Sequence, residues 1–167
     1  MTSNSTPAPK LQHVATLRGY VSSEISILSS KSTGQVRSFA PITSGFFKLA
    51  TGEFEAELVA PAWPVTTSSA DNAYLDVRCR AKSDAGHVYI QYSGFLAVDE
   101  ATTKALRRAP DAESTQVGDT SWFTGVIIET SDEKLKWLET SVLVGQGRVQ
   151  VVDDSGTGAE YLIYRLC

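Results

Sequence analysis

The sequence predicts an all-β protein, built as a single antiparallel β-barrel of about 8–10 strands with one or two short helices. Most segments of the 167-residue chain alternate between polar and apolar side chains with a period of two, which is typical of half-buried strands. Clusters of Gly, Pro, Ser, Thr, Asp and Asn separate these segments. An open sheet of about ten short strands would expose two edges and leave one apolar face uncovered. A closed barrel, or a sandwich, avoids both problems.

The strands are predicted from this alternation and from two strong turns. Asp84-Ala85-Gly86 and the segment 153–158 are both typical of hairpins, because glycine adopts positive φ readily. The polar segment 109–120 is predicted to be a mobile loop. The predicted strands cover approximately 11–18, 20–28, 35–42, 45–50, 53–60, 73–82, 86–98, 121–129, 141–152 and 159–166.

Two short helices are also predicted. The first covers about 99–108, where Asp99 has the side chain of an N-cap and acidic residues precede basic ones along the helix. The second covers about 131–139, because Thr130 and Glu133 have the spacing of a capping box.

Composition and charge exclude several classes of protein. The net charge of −4 disfavours a partner that presents a phosphate backbone, so no nucleic-acid binding is expected. The longest apolar runs, such as Val126-Ile127-Ile128, are far shorter than the roughly 18 residues of a membrane-spanning helix. Residues 1–10 are polar and lack the apolar core of a signal peptide, so they are predicted to be a disordered lead-in. Residues 11–167 then form a single domain, and the expected location is cytoplasmic.

Cysteine and histidine are sparse. Cys79 and Cys167 show no metal-ligand spacing and are predicted to be reduced thiols. The two histidines, His13 and His87, have no spacing that favours a metal site. The sequence also contains no nucleotide-binding, metalloprotease or serine-hydrolase motif, so neither a cofactor nor a metal is predicted.

Several strands divide into a polar and an apolar face, and the polar faces carry mixed chemistry. The polar face carries Tyr74, Asp76, Arg78 and Arg80 in the run 73–81, and His87, Tyr89, Gln91 and Ser93 in the run 87–93. These faces either contact water or line a ligand cavity, and alternation cannot decide, because a one-residue slip in register inverts the answer. The mixture of acid, base, phenol and amide favours a cavity. The row Glu53, Glu55 and Glu57 is more easily a solvent face, at least at its later members.

A pocket without a cofactor can still perform acid–base chemistry. Burial raises the pKa of a carboxyl group, which then stays protonated, whereas a neighbouring arginine keeps a carboxylate ionised. Asp76 and Arg78 are two residues apart on one face. This spacing fits a carboxylate that an arginine keeps ionised for catalysis, and it equally fits a purely structural ion pair.

An ordered set of short motifs resembles the small β-barrel family known as "domain of unknown function three-two-three-seven". The set covers about residues 11–166, and its most distinctive block is 122–147. Its motifs are Gly34-Gln35-Val36-Arg37, Pro41-Ile42-Thr43-Ser44-Gly45, Leu75-Asp76-Val77-Arg78, Asp84-Ala85-Gly86-His87-Val88-Tyr89-Ile90 with Gly94, Phe123-Thr124, Glu129-Thr130, Lys136-Trp137-Leu138 and Val142-Leu143-Val144-Gly145-Gln146-Gly147.

The resemblance implies a compact antiparallel barrel that often self-associates and has no known cofactor. Most members have no assigned activity, but some fungal members belong to secondary metabolism and resemble cyclases that close an oxygen ring on a phenolic substrate. The chain departs from the family pattern at Ala60-Pro61-Ala62-Trp63-Pro64, at Gly125 and at Glu139. These departures suggest a pocket adapted to a particular ligand. The positions that match the family pattern include Arg37, Asp76, Glu129 and Trp137, each of which also has a structural interpretation as a core or ion-pair residue.

These observations lead to a functional hypothesis: a cofactor-independent cyclase or isomerase that acts on an aromatic polyketide, prenylated or not, in the barrel lumen. The predicted acid–base residues are Asp76, Glu129, Glu53 and Tyr89, with Arg37 or Arg78 stabilising an anionic oxygen. The predicted substrate-binding residues are Phe46, Trp63, Tyr74, Gln91 and Trp122. The expected partners are a small aromatic substrate and further copies of the chain. A binding barrel without catalysis and a purely structural oligomer are the alternatives.

Overall fold

The computed structural model describes residues 8–52, 54–67, 71–152 and 156–167, and between 59 and 67 it describes the backbone alone. Most of the predicted lead-in, residues 1–7, and the first part of the predicted turn 153–158 lie outside the described residues. In chain order the elements are β1 (Leu11–Val21), β2 (Ser26–Ser29), β3 (Val36–Leu49), β4 (Glu55–Thr67), β5 (Asn72–Ser83), β6 (Gly86–Ala97), α1 (Glu100–Leu106), β7 (Trp122–Thr130), a 3-10 helix (Glu133–Leu138), β8 (Leu143–Val152) and β9 (Gly156–Leu166).

Eight of these strands close into an antiparallel barrel. From β3 to β9 each strand pairs with the next one along the chain, and β1 pairs with both β9 and β3. The ninth strand, β2, pairs only with the start of β3 and forms an arm outside the barrel. The predicted all-β barrel is therefore confirmed. We call the end of the barrel where β1 finishes the upper end, and the end where β1 begins the lower end.

One difference from the predicted strands lies in β3, which joins two predicted segments into a single strand. Gly45 makes this possible, since its φ of +153° lies in a region that L side chains rarely adopt. A Cβ built at Gly45 would lie 2.1 Å from the backbone oxygen of Arg18 on β1. The glycine thus allows β3 to continue close to β1 and to complete the barrel.

The lumen is filled by the apolar faces of the strands. On β5 the inward side chains are Leu75, Val77, Cys79 and Ala81, each no more than 4% exposed. A void among the described inward side chains measures about 10 Å³, which is room for roughly one water molecule. The interpretation that the mixed face of the middle strands lines the lumen is therefore wrong. Those strands turn their apolar side chains inward and leave the mixed face outside, where Tyr74, Asp76 and Arg78 are each more than a third exposed.

Three aromatic residues and a thiol form the centre of this core. Tyr92 and Tyr161 have ring centroids 4.7 Å apart, and Trp122 packs edge-on against Tyr161 at 5.3 Å. Desolvation raises the pKa of Tyr92 well above its ordinary value and raises the pKa of the neighbouring Cys79 thiol to about 12. Both groups are therefore protonated across the physiological range of pH.

A short helix lies at each end of the barrel. At the upper end α1 begins after Asp99, whose carboxylate accepts from the Thr102 backbone N–H at 2.7 Å, as the sequence predicts. At the lower end the second predicted helix is a 3-10 helix, in which Leu135 and Leu138 are buried. Its N-cap is Asp132 instead of the predicted Thr130.

The sequence predicts segment 109–120 as a mobile loop. In the structure it packs along the last residues of β8, beyond the part of that strand that pairs with β7. The backbone N–H of Thr115 donates to Val149 O at 3.1 Å, and the Thr115 hydroxyl accepts from the Val149 N–H at 3.0 Å. Ser114 Oγ accepts from the Val151 N–H at 2.8 Å. The loop therefore occupies backbone groups that β8 would otherwise leave unpaired.

Neither helix of the described chain has the length and apolar character that crossing a bilayer requires.

The close packing of β8 on Trp122 predicts a large effect of one added methyl group. A Cβ at Gly147 would lie 2.4 Å from the indole, so Gly147→Ala should lower the free energy of unfolding by about 1–3 kcal/mol through overpacking. Gly125→Ala, on the neighbouring strand β7, is the matched control, because nothing lies within 4 Å of its added Cβ. We expect it to be neutral or stabilising by up to about 1 kcal/mol. Urea denaturation measures both, and equal effects would contradict the described packing.

Candidate functional site

Six of the predicted site residues share one surface, the outer wall formed by β5, β6 and β7. We call this surface the outer wall. It carries Tyr74, Asp76, Arg78, Tyr89, Gln91 and Glu129. The period-two pattern placed Tyr74, Asp76 and Arg78 on one strand face and Tyr89 and Gln91 on another, whereas Glu129 was predicted through the family resemblance. The common surface points away from the lumen.

The lower half of the outer wall consists of two cross-strand rows. In the first, Arg80 on β5 is the register partner of Tyr89 on β6, which is the register partner of Glu129 on β7. Directly opposed residues in an antiparallel pair have Cβ atoms about 5 Å apart, so the Tyr89 and Glu129 side chains leave the sheet at neighbouring points. The second row, one step towards the upper end, contains Arg78, Gln91 and Ile127.

An open groove of about 580 Å³ lies at the lower end of the outer wall, between β6, β7 and the 3-10 helix. We call it the lower groove. Its ionisable and polar lining residues are His87, Tyr89, Glu129, Thr130, Ser131, Lys136 and Glu139. The groove therefore brings together two of the predicted acid–base residues, Tyr89 and Glu129, with an imidazole and an ammonium group.

A set of hydrogen bonds attaches the 3-10 helix to the end of β7 and builds one side of the lower groove. Glu139 Oε1 accepts from the Thr130 backbone N–H at 2.8 Å and from Lys136 Nζ at 3.1 Å. Lys136 Nζ also donates to the Thr130 carbonyl at 2.6 Å. The Thr130 N–H, followed by the Lys136 ammonium, holds the pKa of the Glu139 carboxyl below its ordinary value. Glu139, a departure from the family pattern, thus positions Lys136.

Asp76 and Arg78 form an exposed ion pair higher on the outer wall. The Arg78 Nη1 atom lies 3.2 Å from one carboxylate oxygen of Asp76 and 3.3 Å from the other. Both side chains are more than 40% exposed, and such pairs typically contribute about 0–1 kcal/mol. Asp76 pairs in register with Ser93, two rows above Tyr89, so it does not line the lower groove.

The other predicted site residues are dispersed. Arg37 is exposed near the upper end, where it pairs in register with Leu28 of the arm. Phe46 lies half-buried on the opposite side of the barrel, beneath the Arg18 guanidinium at 5.3 Å. Trp122 is fully buried in the lumen and is therefore a core residue.

Two further predicted residues remain without a described side chain. Glu53 lies outside the described residues, and Trp63 is known only through its backbone pairing with Ala40. Their predicted roles stay predictions.

The sequence did not reveal a charged cluster on the opposite side of the barrel. Arg18 Nε donates to Glu160 Oε2 at 2.6 Å, and Arg148 Nε donates to Glu160 Oε1 at 2.8 Å. Glu160 is only 3% exposed, although it points outward, because the two arginines cover it. These residues form one cross-strand row over β1, β9 and β8, and only the register of those strands shows it. A structural role explains the cluster, since each carboxylate oxygen has a guanidinium partner.

Within the described ranges, no group of three or more His, Cys, Asp or Glu side chains is arranged to hold a metal ion.

The fold and the groove define the chain as a small closed β-barrel protein with a surface groove that ionisable side chains line. A family model described as "Protein of unknown function (DUF3237)" matches residues 9–166, and the chain belongs to this family. The resemblance seen in the sequence is thereby confirmed, whereas the narrower placement among fungal secondary-metabolism members stays a prediction. A search of curated proteins gives no match.

Solved structures with low sequence identity share the fold. A conserved protein of unknown function from Rhodopseudomonas palustris has a TM-score of 0.77 at 16% identity, over 97% of this chain and 100% of that one. A beta-barrel like protein from Acinetobacter baumannii AYE has a TM-score of 0.71 at 22% identity, over 99% and 100%. An enzyme from Penicillium herquei has a TM-score of 0.60 at 15% identity, over 100% of both chains.

The hydrogen bonds of Glu139 predict a pH-dependent contribution to stability. A carboxyl whose folded-state pKa is lowered stabilises the fold above its unfolded-state pKa, near 4.5, and loses this contribution as the pH falls through the folded value. Glu139→Gln, which mimics the protonated form, should therefore be less stable than wild type at neutral pH. The difference should shrink towards zero as the pH falls below about 4.5. Denaturation curves at several pH values measure this, and a difference that is independent of pH would contradict it.

Proposed function

We propose that this protein is a cofactor-independent acid–base enzyme that acts on a small phenolic aromatic compound in the lower groove. The observation that carries the proposal is the register pair of Tyr89 and Glu129 in a groove that also receives Lys136. A phenol and a carboxylate side by side can donate one proton and accept another without a cofactor. The proposed reaction is the closure of an oxygen heterocycle on an aromatic polyketide, by addition of a phenol to an alkene or enone.

The proposed reaction balances within the groove. The Glu129 carboxylate accepts the proton of the substrate phenol, and the phenol oxygen forms a bond to one carbon of the double bond. The electron pair of that double bond takes a proton from the Tyr89 hydroxyl at the other carbon. Glu129 then returns its proton to the Tyr89 phenolate, which restores both residues. The product is an isomer of the substrate, so neither an oxidant nor a reductant is required.

Lys136 is the group best placed to stabilise the anionic oxygen. An ammonium has three N–H donors, of which one binds the Thr130 carbonyl and one binds Glu139. One donor is left for a ligand in the groove. In this proposal Lys136 takes the role that the sequence assigned to Arg37 or Arg78, because Arg37 lies near the other end of the barrel and Arg78 does not line the lower groove.

An enzyme from Penicillium herquei shares the fold, which supports a catalytic barrel. At 15% identity this likeness shows a common fold and not a common reaction. A non-catalytic barrel that binds a hydrophobic metabolite is the alternative, and the lower groove would serve it equally well as a binding surface.

Single variants test the reaction on a hydroxychalcone whose phenol lies ortho to the enone carbonyl, a compound that closes an oxygen ring by this chemistry. We expect Glu129→Gln and Tyr89→Phe each to lower kcat by about 100-fold or more, because each removes one proton-transfer group. Glu113→Gln, an exposed carboxylate in the loop 109–120, is the control and should retain full activity. Binding without turnover by wild type would favour the binding barrel, and wild-type rates in both variants would exclude the proposed proton transfer.

We also propose that the chain self-associates through the upper half of the outer wall, where an aromatic row is exposed. Tyr74, Phe95 and Phe123 are register partners with 37%, 61% and 49% of their surface exposed. Aromatic rings pack best edge-on or offset against other rings, and a second copy of the chain supplies the same row by symmetry. An interface centred on this row would leave the lower groove accessible.

Light scattering tests this assembly. Wild type should have the mass of more than one chain, and Phe95→Glu should shift it towards the 18.0 kDa monomer, because a charge cannot be desolvated between the rings. Leu28→Glu, which changes an equally exposed side chain on the arm, should leave the mass unchanged. A monomeric wild type, or an assembly that Phe95→Glu does not weaken, would exclude this interface.

A further inference from the structure

A second cavity lies at the lower end of the barrel and has a different chemistry from the lower groove. It measures about 250 Å³ and is formed where the start of β1, the turn after β3, β9 and the 3-10 helix meet. We call it the end pocket. Its lining residues are Gln12, His13, Val14, Leu49, Ala50, Thr51, Trp137 and Arg165. Lys136 faces the lower groove, whereas Trp137, the next residue of the helix, faces the end pocket.

The end pocket has the composition of a small-molecule site. Val14 and Leu49 are nearly buried and provide an apolar floor. The indole of Trp137 is 36% exposed, so a ligand in the end pocket can contact this flat apolar surface. Ligand pockets typically combine apolar and aromatic walls with a few polar groups that orient the ligand.

The polar groups of the end pocket favour an anion. The Arg165 guanidinium lies over the Trp137 ring, 5.6 Å from its centroid, and this contact holds the cation beside the cavity. Among the described lining residues none is acidic, so within that part of the chain Arg165 has no carboxylate partner in the pocket. A guanidinium stacked on a ring still presents its N–H donors in its own plane, in the fork geometry that matches a carboxylate.

His13 is fixed at the rim of the end pocket. Its Nε2 atom lies 3.0 Å from the backbone carbonyl of Ala15, and its ring lies 5.6 Å from the ring of Tyr164. Nε2 is therefore the donor of this hydrogen bond, and the imidazole adds a second flat surface to the lining of the end pocket. Two flat surfaces beside a cation suit a planar ligand better than a branched aliphatic one.

We propose that the end pocket binds a small planar aromatic carboxylate, with its ring against Trp137 and its carboxylate on Arg165. The volume of about 250 Å³ accommodates one or two fused rings, which is at the small end of ligand sites. This site is separate from the lower groove and does not depend on the proposed reaction there.

Isothermal titration with benzoate as the probe tests the proposal. Wild type should bind one benzoate per chain, and Arg165→Gln should weaken binding by about tenfold or more, because a charge-assisted hydrogen bond is lost. Arg107→Gln is the matched control, since Arg107 is an exposed arginine at the other end of the barrel, and it should bind as wild type does. Absence of saturable binding by wild type, or equal weakening by both variants, would overturn the proposal.

A second variant and two further probes separate this site from non-specific binding. Ala50→Leu adds bulk at an exposed turn residue of the pocket, so it should abolish binding while leaving thermal unfolding unchanged. Benzamide removes the charge and cyclohexanecarboxylate removes the flat ring, and each should bind more weakly than benzoate. Equal affinity for benzoate and benzamide would contradict the role of Arg165, and equal affinity for cyclohexanecarboxylate would contradict the role of Trp137.

Discussion

The pairing of β1 with β3 closes the sheet, and the character of both surfaces of the barrel depends on it. Seven register pairs, from Ala15 with Leu49 to Val21 with Ile42, join the two strands. A closed sheet of eight strands has a narrow interior, which side chains can fill or which can hold one small ligand, and here the described inward side chains occupy it. Trp122, Tyr92 and Tyr161 occupy that interior together with the aliphatic residues. Apart from Cys79, Tyr92 and Tyr161, the ionisable side chains of the described chain therefore lie on the outside and at the two ends.

The 3-10 helix at the lower end creates concave surfaces that a convex barrel wall lacks. The helix places Lys136 towards one depression and Trp137 towards another. Glu139 anchors the helix through the Thr130 N–H, so the position of Lys136 relative to Glu129 depends on a backbone contact as well as on the strands. A short helix that contributes only two buried leucines to the core thus shapes both proposed ligand sites.

The sequence was sufficient for the fold class and for most strand limits. Period-two alternation identifies which residues share a face, and this was correct for Tyr74, Asp76 and Arg78. It does not indicate which face is inside, because a half-buried strand has the same pattern whether its polar face meets water or a cavity. The contact between Arg18 and Glu160 joins residues 142 positions apart, and no local pattern contains that information. The N-cap of the 3-10 helix was predicted wrongly because Thr130 and Asp132 both have capping side chains. The local sequence does not show which of the two begins the helix.

The loop 109–120 has a consequence for how this barrel tolerates changes in chain length. Surface loops usually accept deletions, because their backbone is solvated and makes few contacts. Here Ser114 and Thr115 act as a substitute for a neighbouring strand along the last residues of β8. A natural relative or an engineered version with a shorter loop would leave the backbone N–H and C=O groups at the end of β8 unpaired. Another chain could then add a strand there, and such a protein would be prone to intermolecular sheet formation.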